Sequence, residues 1–184
     1  MAIIIDENTN VLVMGITGKQ ASFHTKQMLA YGTKIVAGVT PGKGGATVEG
    51  VPVYNTVREA CENHKIDASV IFVPAPATKD AALENIEAGI GVVVIITEGV
   101  PVYDEIEIVA YAKRKGAIVL GPNTFGIVSG GKCKIGIPPN QYFIEGNVGV
   151  VARSGTLTYE ITGNLTANGI GQSTVVGMGG DRAV

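Results

Sequence analysis

The sequence predicts an α/β fold built around a parallel sheet, because short β-branched runs alternate with helical segments over the first 120 residues. The predicted strands are 11–14, 34–39, 69–73, 92–96 and 118–120, and the predicted helices are 19–31, 56–64, 78–88 and 103–115. Strand–helix alternation at this pitch is typical of parallel strands joined by helices that cover both faces of the sheet.

Local signals mark the ends of these helices. Thr56-Val-Arg-Glu59 is a capping box, in which a threonine side chain and a glutamate side chain satisfy backbone N–H groups at a helix start. Gly32, Gly89 and Gly116 stand where helices commonly end in a left-handed residue.

The rhythm changes after Gly121-Pro-Asn123. Residues 124–146 contain Gly-Gly and Pro-Pro pairs and an alternating run at 132–137, which predicts an extended segment or edge strand, followed by a linker at 145–147. A second unit then begins, with a strand at 148–152, a helix from 155 to about 168 and a strand at 173–177. The predicted organisation is a first domain at 1–128, a connecting segment at 129–147 and the start of a second domain at 148–184.

One βαβ unit cannot bury both faces of its sheet. Residues 148–184 are therefore expected to need further strands downstream or the surface of a partner.

Composition excludes several classes of protein. The net charge of −2 leaves no basic footprint for nucleic acid, and no apolar run reaches the ~18 residues of a membrane helix. The N-terminus has no cationic region of a secretory signal, so we expect a cytoplasmic protein, or one of a mitochondrial or other organellar matrix. Cys61 and Cys133 lie far apart without metal-ligand spacing, and no metal site is predicted.

Glycine, with 26 of 184 residues, is about twice as frequent as usual, which favours tight turns and close approaches to a ligand. Gly15-Ile-Thr-Gly-Lys-Gln20 follows the first strand and opens the first helix, where an open α/β sheet binds phosphates. The spacing is not G-x-G-x-x-G, so it is weak evidence for NAD.

The end of the second strand separates two ligand classes. An NAD enzyme uses an acidic residue there for the ribose hydroxyls, whereas this chain has Val39-Thr-Pro-Gly-Lys43. A cation at this point suits a ligand with a phosphate near its ribose, as in coenzyme A (CoA). The alternative is a tight turn with an ordinary solvated lysine.

Two more segments end predicted strands at the same edge. Thr97 and Glu98, in Ile96-Thr-Glu-Gly99, are candidates for hydrogen bonds to an adenine or a pantetheine amide; Glu98 is alternatively a first-turn acid of the next helix. Pro74-Ala-Pro76 either shapes the wall of a cleft or is a rigid loop without a ligand contact.

Ser154-Gly-Thr156 lies between a strand and a helix of the second unit. Ser154 is a good N-cap, and Gly155 lets an anion approach the free N–H groups, which favours a phosphate or carboxylate site; the alternative is a simply capped helix. His24 and His64 are the only histidines and are expected to be structural or solvated, so no Ser-His-Asp triad is predicted.

These segments, in this order, resemble the α subunit of succinyl-CoA synthetase (succinate–CoA ligase), and the resemblance covers the whole chain. Its most specific parts are Val39-Thr-Pro-Gly-Lys-Gly-Gly45 and Arg153-Ser-Gly-Thr-Leu-Thr-Tyr-Glu160. The resemblance implies a Rossmann-like CoA-binding domain followed by the start of a flavodoxin-like ligase domain. It also implies a β subunit with an ATP-grasp fold, which binds ATP or GTP with Mg, and succinate as the acyl substrate.

In that family a carboxylate becomes an acyl phosphate, the CoA thiol attacks it, and a histidine carries the phosphoryl group to a nucleoside diphosphate. The resemblance implies binding residues in two groups. The candidate cofactor-binding residues are Thr17, Gly18, Lys19, Gln20, Val39, Pro41, Lys43, Ile96, Thr97 and Glu98, and the candidate substrate or phosphate residues are Asn123, Ser154, Gly155 and Tyr159.

The chain departs from the family in several places. Neither His24 nor His64 matches the phosphorylated histidine, so no catalytic residue is predicted and the chain alone is expected to be inactive. Ala21 and Lys19 alter the first phosphate loop, and Thr124-Phe125 replaces a common Cys-Pro pair. A subunit acting on malate or another dicarboxylate, and a CoA-binding module without catalysis, therefore remain alternatives, although Glu98 fits the succinate branch.

Overall fold

The computed structural model describes residues 2–182. Within this range the chain forms two sheets and five α-helices. The first unit consists of β1 Asn10–Met14, α1 Lys19–Tyr31, β2 Lys34–Val39, β3 Thr47–Val48, β4 Val51–Tyr54, α2 Val57–Asn63, β5 Ala68–Ile71, α3 Ala75–Glu87, β6 Val92–Ile95, α4 Val102–Lys115 and β7 Ile118–Leu120.

The first sheet has the strand order β3-β4-β2-β1-β5-β6-β7. Its strands are parallel except for β3, which pairs antiparallel with β4. The predicted parallel sheet is therefore confirmed, and the turns that follow β1, β2, β4, β5, β6 and β7 all meet at one edge. Strands β3 and β4 were not predicted, because both are short and Pro52 interrupts the β-branched pattern of β4.

The second unit consists of β8 Gly126–Ser129, β9 Cys133–Gly136, a 3₁₀ turn at Asn140–Tyr142, β10 Glu145–Ala152, α5 Gly155–Ala167 and β11 Gln172–Gly177. Its sheet has the order β10-β11-β8-β9, in which β10 and β11 are parallel and β8 pairs antiparallel with both β11 and β9.

The second sheet corrects one prediction and confirms another. Residues 145–147 are not a linker: β10 begins at Glu145, which pairs with Gln172 of β11. The edge strand expected between residues 124 and 146 is confirmed as β9. Strand β8 lies in the interior of the second sheet, although the sequence assigns residues 126–128 to the first domain and residue 129 to the connecting segment. The domain limits at 128 and 148 stay a prediction.

The two faces of the first sheet are covered differently. Helices α2, α3 and α4 pack on one face, where Val57, Ile86 and Ile108 are buried. On the other face α1 shares the cover with the β8–β9 hairpin, so Met28 of α1 packs in one cluster with Ile135 of β9. Helices cover both faces as expected, but part of the second face is closed by a hairpin.

All predicted helix ends but one lie within one residue of the observed ends. The Thr56 hydroxyl accepts from the Glu59 N–H at 3.1 Å. Gly32, Gly89 and Gly116 have φ of 100°, 83° and 74°, in the left-handed region. Helix α3 begins at Ala75, three residues before its predicted start, and places Pro76 in the first turn, where the missing N–H has no helical partner to lose.

Candidate functional site: a cleft between the two units

A cleft of about 820 Å³ opens between the carboxyl edge of the first sheet and the turn that connects β10 to α5. Its walls are Phe72, Val73, Pro74, Ala75, Ile96, Thr97, Glu98 and Asn123 on the first unit and Thr124, Phe125, Ile137, Arg153, Gly155, Thr156, Tyr159 and Gly180 on the second. The cleft thus joins segments that lie up to about 108 residues apart in sequence, from Phe72 to Gly180.

Six predicted site residues line this cleft together. They are Ile96, Thr97, Glu98, Asn123, Gly155 and Tyr159. The other eight, which do not line it, are Thr17, Gly18, Lys19, Gln20, Val39, Pro41, Lys43 and Ser154. The first seven of these lie at the same edge of the sheet, and their roles stay predictions. Thr17 and Gly18 lie in the turn after β1, and Lys19 and Gln20 begin α1. Val39 ends β2, and Pro41 and Lys43 follow it.

The wall on the first unit is held by hydrogen bonds between neighbouring strand ends. The Thr97 hydroxyl donates to the Val73 carbonyl at 2.6 Å, and the Asn123 N–H donates to the Thr97 carbonyl at 2.9 Å. Because its proton is committed, the Thr97 hydroxyl presents only its remaining acceptor capacity to a ligand. Asn123 adopts φ of 59°, a left-handed conformation that asparagine tolerates better than most residues.

Glu98 lines the cleft and does not belong to the following helix. Helix α4 begins at Val102 with Pro101 as its N-cap, and the acids in its first turn are Asp104 and Glu105. The alternative in which Glu98 is a first-turn acid is therefore wrong. Pro74 also lines the cleft. Of the two interpretations of this segment, the one in which it shapes the cleft wall therefore agrees with the structure.

The first two βα turns contact each other. The Gly15 N–H donates to the Val39 carbonyl at 2.7 Å, and the hydroxyls of Thr17 and Thr40 are 3.2 Å apart. Gly18 is the N-cap of α1 and supplies no side-chain acceptor. The N–H groups of the first turn of α1 are therefore not used by a cap and are available to an anion.

The loop that carries Lys43 is held by Asn55, a residue for which the sequence predicts no role. Asn55, directly after β4, accepts with Oδ1 from the N–H groups of Gly42 and Gly44, both at 3.0 Å. A Cβ at Gly44 would lie 2.3 Å from the Asn55 amide, so a side chain at this position would displace the amide that holds the loop. An asparagine directly after a strand is a recognisable signal, but it could not be recognised here because β4 was not predicted.

Lys43 is exposed on this loop. Among residues 2–182 no carboxylate forms an ion pair with it. Its charge is therefore free to meet an anionic ligand, although this arrangement also fits the solvated lysine of the alternative interpretation.

On the second unit Ser154 caps α5. Its hydroxyl accepts from the Leu157 N–H at 3.4 Å, and its carbonyl accepts from the Thr158 hydroxyl at 2.6 Å. The predicted N-cap is confirmed. Ser154 itself does not line the cleft, whereas the next two residues of the helix, Gly155 and Thr156, do.

Tyr159 lies one turn further along α5 and is half-buried. Its ring packs edge-on to Phe125 at 5.7 Å and lies 6.5 Å from that of Tyr142. Burial raises the pKa of Tyr159 to about 12, so its hydroxyl keeps its proton at neutral pH and can donate to an anion in the cleft.

A loop that crosses from the end of β11 closes one end of the cleft. The Arg153 guanidinium donates to the carbonyls of Gly179 and Asp181, and the Asn123 amide donates to the Asp181 carboxylate at 3.0 Å. The Gly180 N–H donates to the Asn123 carbonyl at 2.9 Å. Sequence reasoning assigned no role to Arg153 or Asp181, although Arg153 directly precedes the Ser-Gly-Thr motif.

Neither histidine lines the cleft. His64 shares a hydrogen bond of 2.8 Å with the Tyr54 hydroxyl, and His24 stacks on Phe72 with ring centroids 5.8 Å apart. Burial, with a smaller effect of the positive charge of Lys134, lowers the pKa of His24. Both contacts agree with the structural role that the sequence predicts.

Residues 2–182 hold no group of three or more histidine, cysteine, aspartate or glutamate side chains able to bind a metal ion. Over the same range, no helix combines the length and the apolar character that crossing a membrane requires.

Comparison with protein families and curated proteins supports the CoA interpretation. Residues 6–99 match the family described as "CoA binding domain". The chain is 61% identical over 184 residues to the succinate–CoA ligase [ADP-forming] subunit alpha 2 of Archaeoglobus fulgidus, which covers 100% of this chain and 64% of the relative. It is 55% identical to the corresponding alpha subunit of Staphylococcus aureus, over 98% of this chain and 60% of the relative.

The chain thus spans about three-fifths of the length of these curated relatives. Solved structures match across both units. An ATP citrate lyase of Methanosaeta concilii in complex with (3S)-citryl-CoA aligns with a TM-score of 0.88 at 26% identity, over 98% of this chain and 33% of that one. An acetyl-coenzyme A synthetase of Ca. Korarchaeum cryptofilum aligns with a TM-score of 0.81 at 26% identity, over 97% of this chain and 40% of that one.

Proposed function

The chain belongs to the CoA-binding domain family, and we propose that it is the CoA-binding part of a succinate–CoA ligase α subunit. With a β subunit, such a protein interconverts succinyl-CoA, a nucleoside diphosphate and phosphate with succinate, CoA and a nucleoside triphosphate. The observation that carries this proposal is the cleft in which Ile96–Glu98 face Gly155 and Tyr159, because a cofactor and an anion bound to these residues would share one space.

The residues present fit CoA. The uncapped start of α1, after Gly18, offers N–H groups to a diphosphate, and Lys43 offers an unpaired cation for a phosphate near the ribose. The Asn55 hydrogen bonds hold the Lys43 loop in place before any ligand arrives. Thr97 and Glu98 line the cleft and would contact the end of the cofactor that reaches into it.

When bound, CoA supplies a thiol nucleophile, and the chain's own groups prepare the acyl side. The start of α5, at Gly155 and Thr156, is uncharged and directs backbone N–H groups towards an oxyanion. The protonated hydroxyl of Tyr159 adds a donor, and the Phe125 ring that packs against it keeps this wall apolar. Neutral donors on a half-buried wall stabilise developing negative charge more than water does.

The partner and the nucleotide also belong to the proposal. A β subunit with an ATP-grasp fold would bind ATP or GTP with Mg. A histidine other than His24 and His64 would carry the phosphoryl group, because neither of these two lines the cleft. The relatives' designation as alpha subunits supports a heteromeric enzyme. Exposed apolar side chains on β10 and α5, such as Val151 and Leu157, leave a surface for further strands or a partner.

A different dicarboxylate is a second candidate for the acyl substrate. Thr124 and Phe125, which replace a common Cys-Pro pair, both line the cleft, and the Thr124 hydroxyl donates to the Gly177 carbonyl at 2.7 Å. These residues therefore shape the acyl side directly. Comparing the rates of the assembled enzyme with succinate and with malate would separate the two candidates.

The first test is a calorimetric titration of the purified chain with CoA, with NAD as the control ligand. We expect saturable binding of CoA alone. Lys43→Ala should raise the Kd for CoA about tenfold or more, because a charge-assisted hydrogen bond contributes roughly 1.5–3 kcal/mol.

The matched control is Lys65→Ala, since Lys65 pairs with Asp67 before β5, at the opposite edge of the sheet. It should leave the Kd for CoA unchanged. Saturable binding of NAD, or equal effects of the two lysine variants, would contradict the proposed cofactor site.

A further inference from the structure

Arg153 is the cation of the cleft. Among the described residues that line it, Arg153 is the single positively charged side chain and Glu98 the single negatively charged one. Arg153 lies in the turn between the end of β10 and the start of α5, so its position is fixed by a strand and a helix. A cation at this place bears on which ligands the acyl side accepts.

The guanidinium is oriented by one loop. Its Nε donates to the Gly179 carbonyl at 3.0 Å and its Nη2 donates to the Asp181 carbonyl at 2.6 Å. Two of its five N–H groups are thereby used, and three remain. A guanidinium held on one side loses less side-chain freedom when it binds an anion on the other, which favours binding.

The charge of Arg153 is not neutralised within the described chain. Both of its acceptors are backbone carbonyls, and none of the ion pairs among residues 2–182 includes Arg153. The nearby Asp181 carboxylate accepts instead from the Asn123 amide at 3.0 Å. Arg153 is therefore oriented by neutral groups while its charge stays available to a ligand.

We propose that Arg153 is a specificity-determining residue that binds an oxyanion in the cleft, through the N–H groups left free by its two carbonyl contacts. The oxyanion is a carboxylate or a phosphoryl group, since both present the paired oxygens that match a guanidinium fork. The proposal rests on the proposed function, in which a dicarboxylate and a phosphoryl group both occupy the acyl side. Gly155 and Thr156, which line the cleft beside it, would complete the oxyanion's contacts with uncharged donors.

The test measures the Kd values of inorganic phosphate and of succinate for the 184-residue chain, separately, by calorimetry or ligand-observed NMR. We expect saturable binding of at least one anion, and Arg153→Ala should weaken it about tenfold or more. Arg153→Lys, which keeps the charge and loses the fork, should be intermediate. If Arg153→Ala weakens the binding of succinate, the ligand is a carboxylate. If it weakens the binding of phosphate, the ligand is a phosphoryl group.

A matched control is Arg58→Ala, which removes an exposed arginine of α2 outside the cleft and should leave both Kd values unchanged. A role limited to holding the 179–181 loop predicts a different pattern. In that case Arg153→Ala would alter the melting temperature of the protein without changing how anion affinity depends on the charge of the anion. For phosphate, wild-type affinity should rise with pH as the ligand gains its second charge, and Arg153→Ala should remove most of that rise.

Two results would overturn the proposal: equal anion affinities for wild type and both folded Arg153 variants, or no saturable binding of either anion by the wild type up to ~20 mM. The Kd for CoA, measured on the same samples, separates this proposal from the proposed function. Saturable binding of CoA by the wild type would leave the proposed function in place even if neither Arg153 variant altered anion affinity. Absent CoA binding would contradict the proposed function, whatever Arg153 does to the anion.

Discussion

Both units contain strand–helix–strand segments, but those of the first unit are more deeply buried than the one in the second. The central strands β5 and β6 of the first unit are buried at every residue, because helices and the β8–β9 hairpin cover both faces. In β10 no residue is fully buried, and Val151 of β10 is 68% exposed while Ile161 of α5 is 52% exposed. The first unit therefore forms its side of the cleft on a sheet that is covered on both faces. The second unit forms its side on a strand and a helix that are partly exposed.

The largest effect is expected from a substitution in the hairpin that covers the first sheet, which tests whether the hairpin belongs to the core of the first unit. Ile135 of β9 is fully buried in a cluster with Val13 and Val70 of the first sheet. Ile135→Ala should lower the free energy of unfolding by about 2–5 kcal/mol, through lost burial and a cavity. Urea denaturation would measure it, and a loss below about 1 kcal/mol would show that the hairpin is not part of this core.

Lys134 should make the free energy of unfolding depend on pH, because its ammonium lies buried beside α1, where the hairpin meets the first unit. It is 1% exposed, and burial lowers its pKa to about 8. Since the folded-state pKa lies below the unfolded value, the unfolded chain binds more protons between pH 8 and about 10.4. Stability should therefore rise with pH across this window, by about 2–3 kcal/mol in total.

The Lys134→Met variant provides the reference for that rise. Its side chain cannot titrate, so the difference between wild type and variant isolates the lysine. Parallel stability curves from pH 7 to about 10.5 would mean that the ammonium is solvated or that its acceptors, the Pro138 carbonyl and the Asn140 side chain, fully compensate its burial.

Asn55 tests whether the first unit's half of the site is built before the ligand arrives. Asn55→Ala removes the acceptor of the Gly42 and Gly44 N–H groups, which frees the Lys43 loop. We expect the Kd for CoA to rise by a factor equivalent to about 1–2 kcal/mol, with a smaller change in the free energy of unfolding because the loop is exposed. Asn63→Ala, in the exposed end of α2, is a matched control. Unchanged CoA affinity in Asn55→Ala would mean that the loop orders only on binding.

The smallest effect is expected on the uncovered face of the second unit. Ile161→Ser should lower the free energy of unfolding of the chain by no more than about 1 kcal/mol, because only about half of that side chain is buried. Denaturation of Ile161→Ser beside Ile135→Ala would compare the two regions directly. A loss above about 1 kcal/mol would show that this face is already packed.

Much of the first unit could be predicted because its signals are local. The bounds of β2 and β7, the capping threonine at Thr56 and the left-handed Gly32 and Gly116 agree with the structure. Strong β-branched runs and terminal glycines depend on a few neighbouring residues. The candidate residues after β6 follow from the same logic, since parallel strands place their carboxyl ends together.

The missed features depend on distant partners. Strand β10 begins at Glu145 because Gln172, 27 residues away, pairs with it, and nothing in the residues around Glu145 reveals this. Asn123 and Arg153 meet through Asp181, 58 and 28 residues further on. Such contacts appear only when both units are folded, which is why the loop at the end of the cleft was invisible in the sequence.

The order of the second sheet leaves β10 at its margin, with β11 as its one partner among the described residues. The strand is eight residues long, carries Val148, Val150 and Val151, and has neither the lysine nor the proline with which many proteins discourage unwanted pairing. Its open row of backbone N–H and C=O groups is a template onto which a second molecule can add a strand. Concentrated samples of this polypeptide should accordingly self-associate, and an added strand that completes the sheet should protect them from aggregation.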